Sequence, residues 1–463
     1  MDPRTDPSRT TLASTVLDYA KTFLDSLPER PAAAPDPLTR LPPTAPDALP
    51  AGCGAGPALA AFVAQYGAGL SGSAGPRYFG FVTGGSTPAA LAGDWLTSTF
   101  DQNVSNHIGS VAARVEHETL GWLRALFGLP ARFHGSFVSG ATAANTVALA
   151  TARQVQYQRR GVDVAVEGLT GAPPTVVFAG AAHSSIDKAL AILGLGRRSL
   201  QRLPCLPGRT AIDPQALAGA FAALARDTLC IVIASAGEVN TGDFDDLATL
   251  ANICREHGAW LHVDGAFGLF TALLPGAAGD RLAGIASADS ITVDLHKWLN
   301  VPYDSGVVYT AHPAAQRAVF RASSVYLGDS DDPLHGTPEN SRRFRALPAW
   351  LSLKAYGRSG VAGWVAANCA QARQLAEGIH ALPALELLSP VHLNIVCFAL
   401  RQDPSAAARD RFLSALNADG RCFMTATALF GRPAIRAALS NWSTTAADID
   451  ITLAALSHAA HAA

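Results

Sequence analysis

Alternating short apolar runs and helical patterns predict an α/β fold: a large domain built on a mostly parallel sheet, followed by a smaller α+β C-terminal domain. Two observations carry this. Between about residues 100 and 350, the runs 136–138, 175–178, 230–234, 260–263, 290–293 and 306–309 are bounded by Gly, Ser or Asp and separated by stretches of helical period. Strands interleaved with helices pair in parallel and are covered on both faces, which is why they read as continuous apolar runs. Beyond Lys354 the pattern changes to a helix-rich stretch and then β-like runs at 394–400, 422–427 and 434–439. The expected division is an N-terminal arm and linker over 1–99, a large α/β domain over 100–354 and a small domain over 355–463.

The arm combines an amphipathic stretch at 12–27, with Leu17, Phe23 and Leu24 apolar, and a Pro-rich linker at 28–50. A chain of 463 residues with 49% hydrophobic and 16% charged residues can bury a large core and gives no sign of bulk disorder. The net charge of −2 offers no electrostatic footprint for nucleic acid or an anionic membrane, so neither is expected as a partner. The seven cysteines are dispersed, without Cys-x-x-Cys spacing, and predict neither a disulfide framework nor a metal site. Met1-Asp2-Pro3-Arg4 opens no apolar signal core, and the longest apolar strand candidate, 229–236, is too short to span a bilayer, so the expected location is cytoplasmic.

In open α/β sheets, ligands sit beyond the carboxyl ends of the strands, and phosphates sit where backbone N–H groups converge at a helix N-terminus. Ser139-Gly140-Ala141-Thr142-Ala143-Ala144-Asn145 suits that need, following one strand candidate and entering an alanine-rich helix. A turn of this composition also serves as an ordinary strand-to-helix connection. Ala182-His183-Ser184-Ser185 follows the next strand; its histidine could stack on a cofactor ring, or simply belong to a capping loop. Asn240 and Thr241 are the polar residues after the strand at 230–234.

Asp264 ends the apolar run Trp260-Leu261-His262-Val263, and a carboxylate there is costly to bury without a partner. Lys297, in Asp294-Leu295-His296-Lys297-Trp298-Leu299-Asn300, follows a later strand among apolar neighbours expected to disfavour its charged form and make the amine nucleophilic. An acid at one strand end and a lysine at another are what a pyridoxal phosphate enzyme requires. The lysine condenses with the cofactor aldehyde, and the acid keeps the ring nitrogen protonated. Ala266 is small enough to lie against the ring, and His296 could place a proton or contact the phosphate.

With these motifs the chain resembles the pyridoxal-phosphate-dependent group II amino acid decarboxylases, within the fold type I (aspartate aminotransferase-like) enzymes. The resemblance runs over roughly 75–450. It rests on Arg77-Tyr78-Phe79-Gly80-Phe81 with Thr83 and Pro88, on the Ser139, His183 and Asn240 motifs, on His262-Val263-Asp264-Gly265-Ala266, and on His296-Lys297-Trp298-Leu299 followed by Tyr303-Asp304-Ser305-Gly306. The Trp298-Leu299 continuation looks most like the aromatic amino acid branch. The resemblance implies Lys297 as the lysine bound to pyridoxal 5'-phosphate, Asp264 on the ring nitrogen, His183 stacked on the ring, and Ala141, Thr142 and His296 at the phosphate. It places Thr83 and Arg436 with the substrate carboxylate; from their own positions Asn240 and Ala266 are expected as further cofactor contacts and Phe81 as part of an apolar or aromatic substrate pocket. It also implies a homodimer whose N-terminal arm wraps the partner.

One departure matters. Aromatic decarboxylases carry a mobile loop whose tyrosine protonates the substrate carbon after carbon dioxide leaves, and the stretch 328–337 is shorter and has none; Tyr326 precedes it. His335, the group there that titrates near neutrality, is the candidate replacement acid, with a solvent-exposed loop histidine as the alternative. The expected reaction converts an L-amino acid to its amine and carbon dioxide. Aldol cleavage, decarboxylation with aldehyde formation, or a non-catalytic cofactor-binding relative are the alternatives.

Overall fold

The computed structural model describes residues 9–34, 49, 51–225, 228–322 and 331–462. Seven strands form the large sheet: β1 (His134–Val138), β2 (Thr175–Ala179), β3 (Leu200–Arg202), β4 (Leu229–Ser235), β5 (Trp260–Asp264), β6 (Ser290–Asp294) and β7 (Gly306–Thr310). Their order is β1-β7-β6-β5-β4-β2-β3. Every pairing from β3 through β6 is parallel, and β7 alone runs against its neighbours β6 and β1. The short connection 295–305 explains the reversal, since a parallel return needs a crossover of a dozen or more residues. The mostly parallel α/β architecture is the one expected.

Alternation along β4 shows why its apolar run is continuous. Ile231 and Ile233 pack on one face with Leu149 and Ala152 of the helix Ala141–Gln158 and with Leu190 of the helix Ser184–Ile192. Val232 and Ala234 pack on the other with Val263, Ile291 and Val307. Each fully buried Ile or Val contributes about 1.5–3 kcal/mol through burial. Edge strand β3 was not expected, because two of its three residues, Gln201 and Arg202, are exposed polar groups without an apolar rhythm.

A second, antiparallel sheet has the order β10-β11-β9-β8, formed by β8 (Leu385–Leu387), β9 (Ile395–Leu400), β10 (Thr425–Leu429) and β11 (Arg432–Ala438). Its core joins Phe398, Phe412, Leu416, Ile435 and Leu456. The expected division at 354 falls inside the helix Ala346–His380, near Gly357, where the backbone leaves helical geometry. The segment before the first sheet is no loose linker at its end. Phe79 is buried in the small-domain core, its N–H donating to Phe423 O (2.9 Å) and its carbonyl accepting from Ala438 N (2.9 Å). The amphipathic stretch near the N-terminus forms the helix Arg9–Ser26, while most of the Pro-rich linker and Tyr326 lie outside the described residues. No described helix is long and apolar enough to cross a membrane.

Candidate active site

The carboxyl ends of β1, β2, β4, β5 and β6 open onto one cavity of about 280 Å³. Each strand delivers part of its wall: Ser139 to Ala143 after β1, His183 after β2, Gly237 and Glu238 after β4, Asp264 and Ala266 after β5, and Asp294, His296 and Lys297 around the end of β6. A parallel sheet forces this convergence, because all its strands finish on the same edge.

Lys297 lies on the single helical turn Leu295–Trp298. Leu295, Trp298 and Leu299 are fully buried, while His296 and Lys297 line the cavity. Two indole bonds hold the turn: Trp298 Nε1 donates to Asn368 Oδ1 (2.9 Å), and Trp364 Nε1 donates to Trp298 O (2.8 Å). Behind the lysine, the backbone comes so close that a Cβ on Gly84 would lie 1.7 Å from Lys297 O. The amine meets a carboxylate, where the sequence suggested apolar surroundings: Lys297 Nζ is 3.0 Å from Asp294 Oδ2. The apolar neighbours point to the core on the other side of the turn. Asp294 Oδ1 is buried without a hydrogen-bond partner, leaving an acceptor at the cavity wall.

Asp264 accepts from Ala266 N at Oδ1 (3.2 Å) and from Asn145 Nδ2 at Oδ2 (3.1 Å). His183 caps the helix Ser184–Ile192, its Nδ1 accepting from Ser185 N (3.2 Å) and lying 2.9 Å from Ser185 Oγ. A neutral ring so used carries its proton on Nε2. Although the ring opens onto the cavity, desolvation by the surrounding protein pushes its pKa below the usual histidine range, with Asp264 pulling the other way. Burial likewise lowers the pKa of His296, against the opposing pull of Asp294.

The first turn of the helix Ala141–Gln158 has an extended Gly140 before it and no side-chain cap, so its N–H groups remain available at the cavity. Gly306 must stay small beside it, since a Cβ there would lie 2.7 Å from Gly140 Cα. Uncapped donors at the positive end of a long helix suit a phosphate. A lysine, a strand-end carboxylate and a helix N-terminus facing one space can therefore accommodate the aldehyde, ring nitrogen and phosphate of pyridoxal phosphate.

Other expected site residues fall elsewhere. Asn240 is not part of the cavity wall. Its side chain donates to Glu238 Oε1 (3.1 Å) and accepts from Thr427 Oγ1 (2.6 Å), because the chain turns at Gly237 (φ 90°) and brings Glu238 to the cavity in its place. Glu238 went unnoticed in the sequence, as did Asp294. His335 is buried and is neither an exposed loop histidine nor a residue of the cavity wall. Its Nδ1 accepts from Ala322 N (3.2 Å), which commits the ring to backbone capping beyond the helix Pro313–Phe320.

Thr83 is buried, with Oγ1 3.3 Å from Tyr303 Oη, and the Tyr303 ring lies 4.3 Å from His296. Phe81 is 62% exposed and tilts over Phe423 at 6.2 Å. Arg436, on β11, donates from Nη1 to Val239 O (3.3 Å), and its buried Nε has no partner. None of the three lines the cavity, but Arg436 bonds to the wall residue Val239 and Thr83 reaches His296 through Tyr303.

Fold and cofactor chemistry define the class: a pyridoxal phosphate enzyme of fold type I. More narrowly, the family described as "Pyridoxal-dependent decarboxylase conserved domain" matches residues 66–401, and the chain belongs to that family, the group II amino acid decarboxylases. It is 32% identical to an aromatic-L-amino-acid decarboxylase of Bacillus atrophaeus over 353 residues, covering 74% of this chain and 70% of that one. It is 30% identical to cysteine sulfinic acid decarboxylase of Rattus norvegicus, covering 70% and 66%. The fold matches that of the Oryza sativa enzyme TDC, solved with pyridoxal phosphate and tryptamine, with a TM-score of 0.87, 21% identity and coverage of 98% and 97%. The protein is a pyridoxal-phosphate-dependent carboxy-lyase acting on an amino acid.

Proposed function

We propose that this chain decarboxylates an aromatic L-amino acid to the corresponding amine, with Lys297 at the cofactor aldehyde, Asp264 at the ring nitrogen and His183 on the ring face. Ala141, Thr142 and His296 hold the phosphate end, and Ala266 lies beneath the ring. The single observation carrying the reading is that Lys297, Asp264 and His183, from three different strand ends, face one cavity. When bound, the cofactor supplies an electron-withdrawing ring that accepts the electron pair left by departing carbon dioxide. Asp264, held by Ala266 and Asn145, keeps the ring-nitrogen proton in place. Asp294 receives the Lys297 ammonium when the amine is not engaged. Thr83 and Arg436 orient the substrate carboxylate from the rim.

The aromatic assignment is supported by the Bacillus atrophaeus relative and by the rim, where Tyr78 stacks on Phe423 at 4.6 Å and Phe81 and Tyr303 are exposed. A second reading, an acidic amino acid, is favoured by the unpartnered guanidinium Nε of Arg436 and by the cysteine sulfinic acid decarboxylase relative. We also infer a homodimer, supported by exposed Trp95, Leu96 and Phe100 on the helix Pro88–Phe100 together with Ile108 and Val111, and a cytoplasmic location, supported by the seven free cysteines.

The test is a panel of aromatic, acidic and β-hydroxy amino acids given to the holoenzyme, read by carbon dioxide, amine, aldehyde, ammonia and peroxide. An aromatic amine with equimolar carbon dioxide supports the first reading, and turnover restricted to acidic substrates supports the second. Aldehyde with ammonia and peroxide, or glycine from a β-hydroxy amino acid, would replace simple decarboxylation. Bound cofactor without turnover on any substrate would make the protein a binding relative.

A further inference from the structure

Behind the cavity floor lies a set of buried polar groups, of which the chemistry above uses only Asn145. Trp260 and His262 on β5, Ser290 on β6 and Asn145 in the helix Ala141–Gln158 are all essentially inaccessible to solvent. They form one chain of hydrogen bonds. Trp260 Nε1 to Ser290 Oγ is 3.0 Å, Ser290 Oγ to His262 Nδ1 is 2.8 Å, and His262 Nε2 to Asn145 Oδ1 is 2.9 Å. From Asn145 Nδ2 the chain divides to Asp264 Oδ2 (3.1 Å) and Ser185 Oγ (3.1 Å), and Ser185 Oγ reaches His183 Nδ1 (2.9 Å).

The ends of this chain fix its direction. An indole N–H can only donate and a carboxylate can only accept. Ser290 Oγ, accepting from Trp260, has its own proton for His262 Nδ1. His262 then carries its single proton on Nε2 and donates it to Asn145 Oδ1. That leaves both Asn145 N–H bonds for Asp264 and Ser185, and the Ser185 hydroxyl for His183. Reversing the amide would set its oxygen against the Asp264 carboxylate and leave buried groups unpaired, at about 1–3 kcal/mol each. Burial pushes the His262 pKa down to about 4, so the ring stays neutral and keeps this single-donor form.

We infer that His262, held by Ser290 and Trp260, is a positioning residue that sets the Asn145 amide and through it aims Asp264 and His183 together. The inference rests on the reading that those two groups meet the cofactor. It makes the ring-nitrogen and ring-face contacts one mechanical unit, although they come from different strands.

Three variants of the holoenzyme test it: His262→Gln, His262→Leu and Ser290→Ala. They are read by nitrogen NMR of the labelled histidines, by the rate of cofactor release and by the circular dichroism of the bound cofactor. His262→Gln can place an amide N–H where the imidazole Nε2 stood, and is expected to stay within about threefold of the wild type in release rate. His262→Leu removes the donor; release is expected to quicken about tenfold, with altered His183 nitrogen signals and a weaker cofactor dichroism. If His262→Leu does not fold, Ser290→Ala decides, with mixed His262 tautomers and about two- to fivefold faster release expected. Unchanged His183 signals and release in His262→Leu, or unchanged His262 signals and release in Ser290→Ala, would overturn the inference. The effect on His183 is expected with or without bound cofactor. Its persistence alongside a cofactor attached to a lysine other than Lys297 would sink the site assignment and leave the relay standing.

Discussion

The floor and the rim of the cavity are built on different principles. On the floor, Asp264 has a hydrogen-bond partner on each oxygen, His183 is tied to Ser185, and the lysine turn is pinned by Trp298 and Trp364. At the rim, by contrast, Phe81 is 62% and Tyr303 59% exposed. A floor fixed before ligand arrives suits bond-making chemistry, which depends on preorganised groups. A rim with unused surface suits the part of the site that is completed by substrate or by a second subunit. On the proposed reading, the floor sets the reaction type and the rim the choice of substrate.

Changes on the floor should outweigh those on the rim. Lys297→Ala should abolish turnover and the visible absorbance of the lysine-bound cofactor; spectra before and after adding pyridoxal phosphate check this. Asp264→Ala should lower kcat by about a thousandfold, since a preorganised charge facing the reacting system is lost, as steady-state kinetics with saturating cofactor will show. Gly84→Ala tests a point where the backbone next to Thr83 meets the lysine turn. Its Cβ would collide with Lys297 O, so a stability loss of about 1–3 kcal/mol and at least a tenfold fall in activity are expected from denaturant melts and kinetics.

His262 gives a pH signature of intermediate size. Its folded pKa of about 4 lies below the ordinary 6.5, so the unfolded chain binds the proton that the folded chain refuses. Its contribution to stability is complete above about pH 6.5 and is lost as pH falls towards 4. Urea denaturation should show the wild type losing more stability than His262→Gln between about pH 7 and pH 5. The smallest effect belongs to the rim. Tyr303→Phe removes the hydroxyl beside Thr83 and should change kcat/KM by only about three- to tenfold, mostly through KM. An effect as large as that of Asp264→Ala would erase the division between rim and floor.

Much of the floor was legible because strand ends converge in any parallel sheet, so Asp264, His183 and Lys297 could be placed together from their positions after apolar runs. Asp294 stood in the same motif as Lys297 but resembles a helix cap; in the structure it makes no capping bond and meets the lysine instead. Asn240 and Glu238 exchanged places because the backbone at Gly237 takes a positive φ that the surrounding residues do not announce. His335 was misplaced because a loop composition says nothing of a distant N–H needing an acceptor. The partnership of Asn145 with His262, far apart in sequence, exists only through packing, although a histidine inside the apolar run of β5 was a visible signal.

The most direct measurement is borohydride reduction of the holoenzyme followed by peptide mass spectrometry. The chain contains four lysines, Lys21, Lys188, Lys297 and Lys354, so the result is unambiguous. The account predicts a reduced pyridoxyl group on Lys297 alone. A label on one of the other three, or none on a protein that retains its visible absorbance, would contradict it.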